Sequence, residues 1–224
     1  MSLDFDGVDD IVLHGDIAAI DGAAALTVCA WVNMDFVNED VWVCGKGTGG
    51  HSHFGVDIGL SVSGEVFCQT DGVNFARTNA ATVSASTWTH LAVVYDGSLA
   101  ADWGRVVLYV NGASTAWGIT NGTPPATLPT SVDEWRIAGV RTNTLDGRVG
   151  HHRVWTAALT TAQISQEVNS YRPVRTENLV LWSPYDDGTD ARDYSGSGNH
   201  GTVTGALAKD GPPVGYGAPV LMLP

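Results

Sequence analysis

Basic residues are scarce: Lys and Arg number 11 against 24 Asp and Glu, a formal charge of -13. So acidic a surface repels phosphate backbones and anionic bilayers, which argues against nucleic acid or a membrane surface as partner. It suits a soluble extracellular or particle-surface protein, or one that collects cations. Cysteine is nearly missing. Cys29, Cys44 and Cys68 lack metal-site spacing, and an odd count leaves at least one thiol unpaired. Cys29 in "LTVCAWV" and Cys68 in "GEVFCQT" stand inside apparent strands, where a free thiol acts as a small buried hydrophobe. A Cys44–Cys68 or Cys29–Cys44 bridge is the alternative. No apolar run approaches the roughly 18 residues of a membrane-spanning helix, so membrane insertion is not expected. No leader is visible either, since Met1 runs straight into "SLDFDGVDD" without a basic segment or an apolar stretch. That leaves a trimmed start, or a product made in the cytoplasm and released by another route, such as inside an assembled particle.

Motifs of common chemistries are also missing: there is no Gly-x-Ser-x-Gly elbow and no phosphate-binding glycine loop. His51 and His53 alternate in "GGHSHFG", and His151-His152 adjoin a core-like Val-x-Trp, but a zinc site needs further ligands that the chain does not nominate.

What is present is strand. "ALTVCAWVNM", "VWVCGKG", "HFGVDIGLSV", "EVFCQTDG", "THLAVVYDG", "RVVLYVNGAS" and "EWRIAGV" are short runs rich in Val, Trp, Phe and Tyr. The dipeptides Asp71-Gly72, Asp96-Gly97, Asn111-Gly112, Asn121-Gly122 and Asp146-Gly147 suit the positive φ that tight turns require. The sum predicts an all-β fold, a two-sheet antiparallel β-sandwich. One stretch departs from it. "TAALTTAQISQEVNSY", Thr156 to Tyr171, spaces Leu159, Ile164 and Val168 for one short surface helix capped by Thr160 or Thr161. Residues 1–210 read as a single domain, and the Pro- and Gly-rich 211–224 as an extended C-terminal arm whose apolar "VLMLP" packs on this subunit or a neighbour.

Four ordered blocks, "LDFDGVDDIVL", "LTVCAWVN", "STWTHLAVVYDG…RVVLYVNG" and "LDGRVGHHRVWTAALTTAQIS", together resemble the laminin G-like jelly roll of the concanavalin A-like lectin/glucanase superfamily. In the usual order of that family, a block like "LVLWSPYDDG…DYSGSGNHGTVTGA" comes first; here it begins at Leu179. The resemblance therefore implies a circularly permuted jelly roll, the alternative being a truncated second repeat. Permutation is physically undemanding, because the termini of compact domains commonly lie close together at the surface.

Glycosidases of this superfamily carry facing carboxylates in a Glu-x-Asp-x-x-Glu type run, which this chain lacks. Asp133 and Glu134 in "VDEW" are adjacent and would face opposite ways on a strand. An enzyme is accordingly not expected. Relatives resembling the "DYSGSGNHG" block often hold calcium near such loops. Asp193, Ser195 and Asn199 are the candidate ligands here, and calcium, in a structural role, the candidate cofactor. Against this, Gly150 and His151 stand where relatives commonly have an acidic pair. The competing reading is that Asp193, Ser195 and Asn199 only fold their loop. Sugar binding is the other implied activity. Trp103 and Trp117, in loop-like surroundings, could stack on pyranose faces with Asn121 at the rim, although burial under a loop would equally explain both indoles. Asn121-Gly-Thr123 is also formally a glycosylation acceptor, informative only in a eukaryotic secretory pathway.

Two functions stay open. One is a structural or decoration subunit at a virion surface or in an extracellular assembly, its partners neighbouring protein subunits or a surface glycan. The other is a calcium-assisted, carbohydrate-binding lectin domain of a secreted protein.

Overall fold

The computed structural model describes residues 1–36, 40–48, 52–53, 57–61, 63–79, 81–139, 145–186 and 190–214. In chain order the strands begin with β1 (Ser2–Asp6), β2 (Ile11–Leu13), β3 (Ala25–Met34), β4 (Val41–Thr48), β5 (Ser52–His53) and β6 (Asp57–Leu60). They continue with β7 (Val66–Gln69), β8 (Phe75–Arg77), β9 (Thr89–Asp96), β10 (Val106–Val110), β11 (Ala113–Thr115) and β12 (Ile119–Asn121). The last are β13 (Trp135–Ile137), β14 (Asp146–Trp155), β15 (Leu179–Ser183), β16 (Thr202–Thr204) and β17 (Leu207–Lys209), with one helix, α1 (Thr161–Glu167), between β14 and β15.

Two antiparallel sheets face each other. The first runs β11-β10-β9-β3-β14-β1-β17 with β15 also on β14; the second runs β12-β8-β7-β6-β4-β13-β2-β16 with β5 on β4. This is the jelly-roll sandwich, and β3 shows why the sequence makes it. Leu26, Val28, Ala30, Val32 and Met34, every second residue, enter the core between the sheets. Cys29 turns the other way, yet it is buried too, in a second cluster with Ala92, Val94, Tyr109, Trp155, Leu159, Ile164 and Leu179. The first sheet is thus covered on its outer face by α1 and its flanking chain, so its central strands are buried on both sides. All three cysteines are free and buried.

Helix α1 is shorter than its predicted stretch. Thr160 caps it, accepting from Gln163 N while the Gln163 side chain reaches back to the cap, so the helix begins only after Thr160. Asn111-Gly112 forms the β10–β11 hairpin with φ of 50° and 82°, as its chemistry predicts. Asp146-Gly147 does not make a turn. Gly147 lies inside β14 at φ 138°, where a Cβ would come within 2.5 Å of Asn33 O. Asp133 and Glu134 precede β13 instead of lying on it. They are engaged locally, Asp133 with the Ser131 hydroxyl at 2.5 Å and Glu134 with Arg136 at 3.1 Å.

At one edge, β1 pairs with β17, Ser2 opposite Lys209, and Ser2 Oγ donates to Asp210 O at 2.9 Å. Pro212 and Val214 are buried beyond it, so the first residues of the predicted arm pack on this subunit; residues 215–224 lie outside the described residues.

Candidate functional site

The sequence candidates fall into two groups, and the structure assembles each. Trp103 opens a 3-10 turn whose preceding residue, Asp102, accepts from Gly104 N at 2.7 Å. The turn swings the indole against that of Trp117, ring centroids 6.3 Å apart and planes at 70°, an edge-to-face pair. Trp103 Nε1 donates to Gly122 O at 3.1 Å, and Trp117 Nε1 to Val106 O at 2.7 Å. Both rings are half-buried on the main core. Their N–H groups are therefore committed to the fold, and what they offer outward is apolar ring surface. Asn121 is exposed at the end of β12, its amide donating to Val73 O at 3.3 Å. Asn74 completes this rim: its side-chain oxygen accepts from Thr123 N at 3.0 Å, and its backbone N–H donates to Asp71 Oδ1 at 2.8 Å. Tryptophan faces with amide and carboxylate groups around them are the chemistry of a sugar-stacking surface, and Trp103, Trp117 and Asn121 do converge.

Asp193, Ser195 and Asn199 also meet. Asp193 Oδ1 accepts from Trp182 N at 3.0 Å and Ser195 N at 2.8 Å. Oδ2 accepts from Ser195 Oγ at 2.9 Å and Asn199 N at 3.0 Å. Asn199 Nδ2 donates to Val180 O at 2.7 Å. Four donors around one carboxylate fill its lone pairs, so a cation there competes with the hydrogen bonds that shape the loop.

A set that the sequence reading passed over is Asp6, Asp9 and Asp10, whose carboxylate oxygens lie within 4.8 Å of one another. Asp6 also stands directly across β1–β14 from Asp146, a like-charge pair. Burial, then the charges of Asp6, Asp9 and Asp4, raise the Asp10 pKa; burial, then Asp35, Asp4 and Asp6, raise that of Asp146. Asp6 Oδ1 and Asp10 Oδ2 each accept one backbone N–H, at 2.9 Å, which leaves the other oxygens to a hard cation. The "DFDGVDD" spacing held this signal, but the stretch reads first as a strand and a turn.

His152 is buried and accepts from Trp135 Nε1 at 2.9 Å. His51 and the side chain of His53 lie outside the described residues. Among the described residues no group of three or more metal-ligating side chains includes a histidine.

A family model described as the concanavalin A-like lectin/glucanases superfamily matches residues 6–165. No curated protein matches the chain in sequence. Among solved structures, a candidate carbohydrate-binding protein of Bacteroides ovatus is similar, with a TM-score of 0.71 and 19% identity over 96% of this chain and 61% of that one. The chain thus spans less than two thirds of that protein's length. The native heptameric SAP-like pentraxin of Limulus polyphemus has a TM-score of 0.58 and 17% identity over 78% of this chain and 83% of the other. At such identities these likenesses establish the fold.

Proposed function

We propose that this chain, which belongs to the concanavalin A-like lectin/glucanase superfamily, is a non-catalytic surface module that binds glycan at the end of the sandwich carrying Trp103, Trp117 and Asn121. The observation that carries this reading is the convergence of the two indoles, 6.3 Å apart, beside exposed Asn121. The carbohydrate-binding description of the similar Bacteroides protein supports it. A glycan array probed with calcium present should return a specific hit, weakened roughly tenfold or more in Trp103→Ala, the scale of one lost aromatic anchor. A blank array, or a hit indifferent to both Trp103→Ala and Trp117→Ala, overturns it.

Structural calcium belongs to the same proposal. The donor set of Asp6, Asp9 and Asp10 supports it better than the Asp193 loop, whose carboxylate is spent on the fold. Millimolar calcium should raise Tm relative to chelator, and exposed Asp9→Asn should abolish the rise. An unmoved Tm removes calcium from the account.

A second reading, a structural subunit of a particle or extracellular assembly, is favoured by exposed Val8, Phe36 and Leu207, 72%, 60% and 61% accessible. Removing residues 215–224 should then abolish assembly in sedimentation while leaving the melting curve intact; unchanged assembly disposes of a docking arm. The pairing of β1 with β17, and of Ser2 with Asp210, supports reading the block order as a permutation.

A further inference from the structure

The chain that follows α1 crosses the outer face of the first sheet, and there a run of aromatic side chains forms that the Trp103 end does not include. Tyr171 stands edge-on to Trp182, centroids 6.1 Å apart at 74°, and edge-on to His151, 5.4 Å apart at 81°. Trp182 is tilted against Tyr194 at 5.9 Å. Tyr194 is 49% exposed, while Tyr171 and Trp182 are half-buried. Each ring is held from its backbone or its neighbours. Arg153 Nη2 donates to Ser170 O and Tyr171 O at 2.7 and 2.6 Å, and the Tyr171 hydroxyl donates to Asp186. Tyr194 N donates to Trp182 O at 2.8 Å, and Trp182 lies on β15 opposite Arg153 of β14.

Among the described residues, some polar groups inside this run have no hydrogen-bond partner. The indole N–H of Trp182 has none, and neither ring nitrogen of His151 has one, although His151 is only 2% exposed. His151 also holds φ at 50°, beside the irregularity in β14 between Gly150 and Arg153. A non-glycine residue in that left-handed region is strained, and such positions cluster at ligand sites.

We propose that Tyr171, Trp182 and Tyr194, with His151 at their inner end, form a second ligand site on the outer face of the first sheet, taking a neutral, hydroxylated ring such as a pyranose. The indole N–H and the imidazole nitrogens are covered as the rings stand, so a hydroxyl that accepts from the first and donates to one of the second has to move a neighbouring ring aside, whereas a cation is repelled by the indole N–H. Asp186 is already engaged by the Tyr171 hydroxyl and, at 3.5 Å, by the N-terminal ammonium, so it does not invite further positive charge. The rings supply the apolar surface on which a sugar face stacks. The site is separate from the Trp103 end: β15 lies four strand steps from β10 through β9, β3 and β14, roughly 19 Å at the usual strand spacing. It borrows from the glycan-binding reading only the class of ligand.

Indole ¹H–¹⁵N resonances read both sites in one spectrum, with Trp182 and Trp103 assigned from Trp182→Phe and Trp103→Phe. The probes are methyl β-galactopyranoside, methyl α-mannopyranoside and xylotriose. With at least one of them the Trp182 resonance should shift saturably, Tyr194→Ala should weaken that binding roughly tenfold, and Trp103→Ala should leave it unchanged. No saturable Trp182 shift with any probe, or one that survives Tyr194→Ala at full affinity, overturns the proposal. A shift at Trp103 alone would leave the first site standing and remove the second, and a shift at Trp182 alone would do the reverse.

Discussion

Arg153 and Glu167 meet where neither has water to fall back on, being 2% and 0% exposed. Arg153 donates to the carboxylate and to two loop carbonyls, while Glu167 Oε1 accepts from Val174 N at 2.6 Å. Burial raises the Glu167 pKa, and the guanidinium pulls it back down. The pair therefore binds the chain after α1 to β14 at the cost of desolvating both ions. Arg153→Met strands the carboxylate and should cost about 3–5 kcal/mol, whereas Arg153→Met with Glu167→Leu should recover most of it. Urea unfolding of the two variants checks this, and equal losses in both would show that packing, not charge, sets the cost.

At the scale of elements, α1 depends on its cap. Thr160→Ala removes the acceptor for Gln163 N and should cost about 1 kcal/mol, read as a lower urea midpoint at constant slope. Gly147→Ala should be far worse, since it adds a Cβ both at a positive φ and against the Asn33 carbonyl; soluble expression with a native melting curve would contradict that. The cap and the Asn111-Gly112 hairpin were legible in the sequence because each is decided by a few neighbouring residues. The central strands were legible from their apolar runs. By contrast β8, β12, β16 and β17 are three-residue strands made by pairing with a neighbour, and in β12 every residue is exposed. Nothing local marks them. The same difference governs the sites: Asp193 gathers partners mostly from its own loop, so its cluster could be read, while the Tyr171, Trp182 and Tyr194 run joins three separate segments. His151 stood out as a neighbour of the core and at the place of an acidic pair in relatives, but not as part of an aromatic cluster, because its unpartnered nitrogens depend on what folds over them.

For the whole molecule, acid is the condition that the interior resists least. Burial lowers the pKa of His14 to about 4 and those of His90, His151 and His152 to about 3, against an ordinary 6.5. The unfolded chain thus takes up these protons first. Their contribution to stability is complete above about pH 6.5 and is lost as pH falls toward the folded values. The raised carboxyls Asp10, Asp146, Glu167 and Asp186 act in the opposite sense, in a window that runs upward from their ordinary 3.8 to 4.5, so they offset part of the histidine loss at its lower end. The urea midpoint should therefore drop between pH 6.5 and 5, and His90→Gln should flatten the drop; a midpoint level across that interval would refute the assignment. The edge where β1 lies beside β17 has a further consequence. Because Ser2 and Lys209 face each other across one pair of strands, a sandwich trimmed to residues 2–209 would have its two ends one strand spacing apart, and could be spliced into a host loop without stretching it.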